Sequence, residues 1–145
     1  MKMNKQIIGL IVGLLMAIAN PVSAQSGLQV DLLFHKLERA KGCKMVVIND
    51  GNLRGYSLHI YKALTYKTQR DVVQPYLQAD RKHAKKIREV VDNGIVMSGY
   101  YMMQPAGKYN RYILFSNGKG LSGTVIYIEG QLSPDDILKL CYVRK

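Results

Sequence analysis

The chain has 145 residues, with 21 Lys plus Arg against 10 Asp plus Glu and a formal net charge of +11. That length predicts one domain with an ordinary hydrophobic core. The charge balance favours anionic partners, and the scarcity of acids disfavours a two-carboxylate glycosidase.

The opening, MKMNKQIIGLIVGLLMAIANPVSAQS, has the order of a secretory signal peptide. Lys2 and Lys5 form the basic region, Ile7 to Ala19 the apolar run, and Val22 and Ala24 the small residues before a cut at Ala24/Gln25. The apolar run is shorter than the roughly 20 residues that span a bilayer. The reading is therefore a signal peptide over 1–24, then a single α+β domain over 25–145 that is exported, periplasmic or secreted. No transmembrane segment is expected after cleavage. The remaining chain keeps 19 basic and 10 acidic residues, a formal +9.

Two cysteines follow, Cys43 and Cys141. An oxidising compartment permits a disulfide between them; two thiols serving as small core hydrophobes are the other reading. Neither cysteine has the local spacing of a metal site or a redox pair.

Val30, Leu33, Leu37 and Ala40 recur at helical spacing, with Gly42 as the cap. CKMVVI, residues 43–48, reads as a strand running into the turn NDGN. Leu53, Tyr56, Ile60 and Leu64 repeat at three and four, which predicts a second helix. Pro75 is placed at the start of a third, whose apolar stripe is Leu77, Ala84, Ile87 and Val91. After Gly94 the period changes. IVMSGYYMM, YNRYILFS and GTVIYIE are of strand length, and Asn117-Gly118 is a hairpin signal. Ser133 and Pro134 then open a last helix, with Asp135 and Asp136 suited to its first turn rather than to acid–base chemistry.

The predicted fold is α+β: a mostly antiparallel four-stranded sheet, one early strand plus a three-strand meander, with helices packed on one face. The later strands are apolar on both sides. Val96, Tyr100 and Met102 oppose Met97, Tyr101 and Met103. A sheet solvated on one face alternates more cleanly, so a homodimer through the second face is one expectation and a half-exposed surface the other.

No motif carries catalysis. His35, His59 and His83 lack zinc-ligand spacing and read as helix-surface residues. GYS and MSGY lack the form of a nucleophile elbow, and NGKGLSG lacks the context of a phosphate loop. No cofactor is implied. The densest feature is DRKHAKKIREVV, in which Arg81, Lys82, Lys85, Lys86 and Arg88 lie on the exposed arc of the predicted third helix. Such a face either serves solubility or binds anions. At about 1 kcal/mol per cation, five cations less Glu89 give roughly 4 kcal/mol, near millimolar affinity. Export disfavours nucleic acid and leaves lipid phosphate, acidic polysaccharide or an acidic protein as the anionic envelope component.

The leader, LFHKLERAKGCKMVVI, LRGYSLHIYKAL and the ending GTVIYIEGQLSPDDILKL together resemble small exported proteins of Bacteroides-type bacteria, classed as domains of unknown function. The resemblance covers most of residues 28–140. It implies an exported α+β domain and carries over no functional residues. The sequence thus points first to a non-enzymatic envelope or secreted interaction module. Second comes a binder of anionic surfaces through 81–88. Third is an enzyme whose polar cluster, for example His35 or His59 with Tyr or Asp, assembles only in three dimensions.

Overall fold

The computed structural model describes residues 27–142. The leader expected over 1–24 lies outside them. In chain order come α1 (Gln29–Leu37), β1 (Cys43–Leu53), β2 (Tyr56–Tyr66), α2 (Arg70–Arg81), β3 (Lys85–Asp92), β4 (Ile95–Ala106), β5 (Tyr109–Asn117), β6 (Gly123–Gly130) and α3 (Pro134–Tyr142). The strands form one antiparallel sheet in the order β1-β2-β6-β5-β4-β3. The α+β class stands, but the sheet has six strands rather than four.

The helices occupy both faces, not one. Val30, Leu33, Phe34 and Leu37 of α1 and Val73 and Leu77 of α2 pack on Leu64, Tyr66, Tyr101, Met103, Ile113, Phe115, Val125 and Tyr127. On the opposite face Ile137 and Leu140 of α3, with Leu132, pack on Leu58, Tyr100, Tyr112, Leu114 and Ile128. The apolar second face of the meander is thus covered first by the chain's own last helix. A buried contact also joins the first two helices. The amides of Gln29 and Val30 each donate to the Asp80 carboxylate at 2.9 Å, supplying the cap that Leu28 cannot give α1.

Two expected helices are corrected. The stretch around Leu53, Tyr56, Ile60 and Leu64 is the β1–β2 hairpin tip and β2. Its three-and-four spacing arises because the pleat of β2 reverses: Leu58 packs in the second cluster and Ile60 against the first. A regular strand keeps residues two apart on one face. The reversal lies across from Asp50, flanked by the pairs Asn49↔Ile60 and Gly51↔Leu58, where φ is +51. The other correction concerns 75–91. Pro75 lies inside α2, and the helix stops at Arg81. The amides of His83 and Ala84 fold back to the carbonyls of Asp80 and Arg81 as a tight turn. Lys85–Asp92 then pairs with β4, where Ile87, Val90 and Val91 suit a pleated strand.

Candidate functional site

The second sheet face is built around the anchoring of α3. Ser133 and Asp136 bond reciprocally, Asp136 N–H to Ser133 Oγ at 3.1 Å and Ser133 N–H to Asp136 Oδ2 at 2.9 Å, a capping box that starts the helix. Just before it, the Leu132 carbonyl accepts from Tyr112 Oη at 2.5 Å and Asn110 Nδ2 at 2.8 Å. These contacts seat a short helix over one part of the face and leave the rest open. Between the end of α3 and the β1–β2 turn lies a cleft of about 350 Å³. Its walls include Leu53, Tyr61, Leu114, Ile126, Ile128 and Leu140, with Arg54 and Cys141 also lining it. Arg54 is the one charged side chain among the described lining residues.

A second cleft, of about 360 Å³, is polar. In it the His59 ring stacks on Tyr109 with centroids 4.3 Å apart and planes 10° from parallel. His59 Nδ1 lies 2.9 Å from Asp50 Oδ1, and Nε2 lies 3.6 Å from Glu129 Oε2. Glu129 in turn accepts from Tyr127 Oη at 2.5 Å. Burial, then the Glu129 contact, pushes the Tyr127 hydroxyl far above its ordinary range. The two ring nitrogens each face a carboxylate, so the group ties β1, β2 and β6 together. Ser57 lines the same cleft, and no Ser, Thr or Cys side chain bonds His59 among the described residues. His59 sits on a strand rather than the helix expected. His35 does lie on α1, exposed, 3.7 Å from Glu38, and His83 lies in the turn after α2.

The basic run does not form one helical face. Arg81 ends α2, Lys82 caps it, and Lys85, Lys86 and Arg88 belong to β3. Glu89 engages two of the five: Arg81 Nη2 at 2.8 Å and Lys86 Nζ at 3.6 Å. Tyr101 Oη donates to the same carboxylate at 2.6 Å, and the Arg81 guanidinium stands 5.4 Å from the Tyr101 ring centre. The Tyr101 bond, then Arg81, holds Glu89 below the usual carboxylate range against its partial burial. A depressed carboxylate adds stability that is full above its unfolded value and disappears as pH falls through the folded one. Glu89→Gln should therefore lower stability by about 1–2 kcal/mol at pH 7, and chemical denaturation repeated at descending pH should show the two proteins converging in acid. A constant gap across that range would refute this linkage.

Cys43 packs against the first-face cluster, whereas Cys141 lines the cleft on the second. Both are free thiols, so the disulfide considered above is not formed here. Burial raises the Cys141 thiol, while a hydrogen bond from Tyr100 and the charge of Arg54 pull it back. Among the described residues no group of three or more His, Cys, Asp or Glu could hold a metal ion, and no helix is long and apolar enough to cross a membrane.

A family model spans residues 17–141, nearly all of this architecture. The chain belongs to DUF6108, a family of unknown function. No curated protein and no solved structure matches it. DUF6108 membership thus agrees with the resemblance at the level of an unassigned α+β domain, and the two clefts of this DUF6108 chain are the features to which a function can be attached. Sequence reasoning missed the apolar cleft, where Arg54 had one local signal, the Arg-Gly pair between two β-rich runs. It named His59 with Tyr or Asp as an example of a polar cluster but not the partners, because Asp50, Glu129 and Tyr109 reach His59 from three other strands.

Proposed function

We propose that the protein is exported by its leader and works outside the cytoplasm as a non-enzymatic binding module, with the apolar cleft beside α3 as its ligand site. The observation that carries this is the partial cover of the second sheet face, which leaves apolar side chains lining an open cleft with few polar groups. Concave, mostly apolar surfaces with a few placed polar groups are the usual form of small-molecule sites.

The test uses dodecanol as a neutral apolar probe. It should raise the melting midpoint in a saturable way, because a ligand at 100 times its Kd adds about 2.7 kcal/mol. Ile126→Trp should fill the cleft and abolish that shift. The chain contains no tryptophan, so the new indole also reports on its own surroundings. An unchanged midpoint for the native protein at saturating dodecanol would sink the proposal.

A second reading keeps the basic segment as an anion-binding surface. Lys82 and Lys85 are exposed and make no ion pair among the described residues, which leaves them available to lipid phosphate, acidic polysaccharide or an acidic protein. Two such cations contribute roughly 2 kcal/mol at an anionic surface, so this contact assists a binding event rather than supplying one.

A further inference from the structure

Two hairpins in the sheet close on two-residue turns of the same backbone. Arg54–Gly55 joins β1 to β2 with φ of +52° and +87°, and Asn93–Gly94 joins β3 to β4 with +52° and +77°. Positive φ at both central residues is the type I′ turn, which matches the twist of paired strands. Its first position favours Asn, Asp or Gly, because an ordinary Cβ there crowds the next carbonyl and only a short polar side chain compensates locally. The β3–β4 turn follows that rule. The β1–β2 turn holds an arginine in the strained position instead.

Among the described residues no hydrogen bond or ion pair of the Arg54 side chain recovers that cost. Arg54 has no carboxylate partner among the described residues. Its side chain lines the apolar cleft, near enough to Cys141 for its charge to act on that thiol. Strain retained without a structural return, at the mouth of a cleft, is the pattern of a binding residue. A guanidinium also matches the planar forks of carboxylate and phosphate, which an ammonium does not.

The geometry points to Arg54 as the head-group anchor of a site for a single-chain anionic amphiphile, whose acyl chain lies along Leu114, Ile126 and Ile128. This rests on the cleft being a binding site and names what it takes. Along Leu114, Ile126 and Ile128 the chain of the ligand meets apolar wall, and Arg54, the one cation among the described lining residues, selects the sign of the head. A neutral alcohol of the same length fits the wall but forgoes the guanidinium. A cationic amine of that length brings like charges together.

The test compares dodecanoate, dodecanol and dodecylamine, each below its solubility or micelle limit, on the native protein and Arg54→Asn by calorimetric titration. Native protein should prefer dodecanoate to dodecanol by at least tenfold and bind dodecylamine least. In Arg54→Asn that preference should vanish while dodecanol affinity stays unchanged. The ligand-free variant should melt higher by about 4 °C, since Asn suits the turn better than Arg. Equal dodecanoate affinity in both proteins overturns the assignment of Arg54 but leaves the cleft standing. Failure of the native protein to bind any of the three overturns the cleft itself. A lower melting midpoint for the variant would make Arg54 a structural residue and also defeat the inference. Sedimentation with phosphatidylglycerol vesicles separates the sources of the head group: loss by the variant of both vesicles and dodecanoate assigns anionic amphiphiles generally, and loss of dodecanoate alone assigns free acids.

Discussion

Asp80→Ala should lower the unfolding free energy by about 3 kcal/mol, because two helix-start amides that now donate to one carboxylate would be left without acceptors. Asp80 is 6% exposed, and the amides of Gln29 and Val30 reach it from α1 while it belongs to α2. For a chain of this size the loss corresponds to a melting midpoint lower by roughly 10 °C. Asp80→Asn keeps one acceptor and should fall between. Burial holds the Asp80 carboxyl above its ordinary range, with the two amides pulling it back. The native state therefore keeps this proton to higher pH than the unfolded chain. The contribution is full below the unfolded value and is lost as pH rises through the folded one, opposite in sign to Glu89. Asp80→Asn cannot ionise and should remove that slope. A loss below 1 kcal/mol in Asp80→Ala, measured by urea unfolding, would mean that solvent serves these amides instead.

Ile137→Ala should cost about 3 kcal/mol and impair the cleft at the same time. Ile137 is fully buried, and deletion of such a side chain combines lost transfer energy with an unfilled cavity. It is the central contact of α3 with the sheet, set between the capping box at Ser133 and the cleft wall at Leu140. Leu138, which is only partly buried on the neighbouring arc, provides the comparison; Leu138→Ala should cost well under half as much. Urea unfolding gives both values, and an unchanged m with a lower midpoint identifies a pure loss of stability. Apolar-probe binding should fall in Ile137→Ala even at temperatures where the protein stays folded. Full probe affinity in a folded Ile137→Ala protein would show that the docking of α3 does not shape the cleft.

The parts of the fold that were legible in the sequence are those specified by neighbours. The meander over Ile95–Gly130 shows as three runs broken by Gly-rich turns, and the last helix shows through Ser133, Pro134 and Asp136, whose capping bonds are all local. What misled was periodicity. β2 carries a helical spacing because its pleat reverses across from Asp50, and only the flanking pairing with β1 and β6 makes it a strand. Sequence periodicity extends the basic run as a helix past Lys82, because Ala84, Ile87 and Val91 continue the stripe of Leu77. In the structure Ala84 packs against the first cluster and Ile87 against the second, which a single helical face cannot do. The site suffered most. Arg54 and the end of α3 are separated by most of the chain, and His59 meets partners from β1, β5 and β6.

The two outer edges of the sheet are unequal. β3 ends one side with Lys85, Lys86 and Arg88, and its register shifts twice, after Lys86 and after Val90. β1 ends the other with Val46 and Val47 exposed, although β3 exposes Val90 and Val91 to a similar degree. Cationic, irregular edges resist the addition of a further strand, whereas regular apolar ones invite it. Growth of a fibre needs two adhesive edges on every copy, and the charge and register shifts of β3 disfavour that edge. Strand addition at β1 by a like molecule would spend that edge on both partners and stop at a pair. In any assembly through sheet edges, the positive stretch that stands out in the sequence would disfavour the side on which it lies.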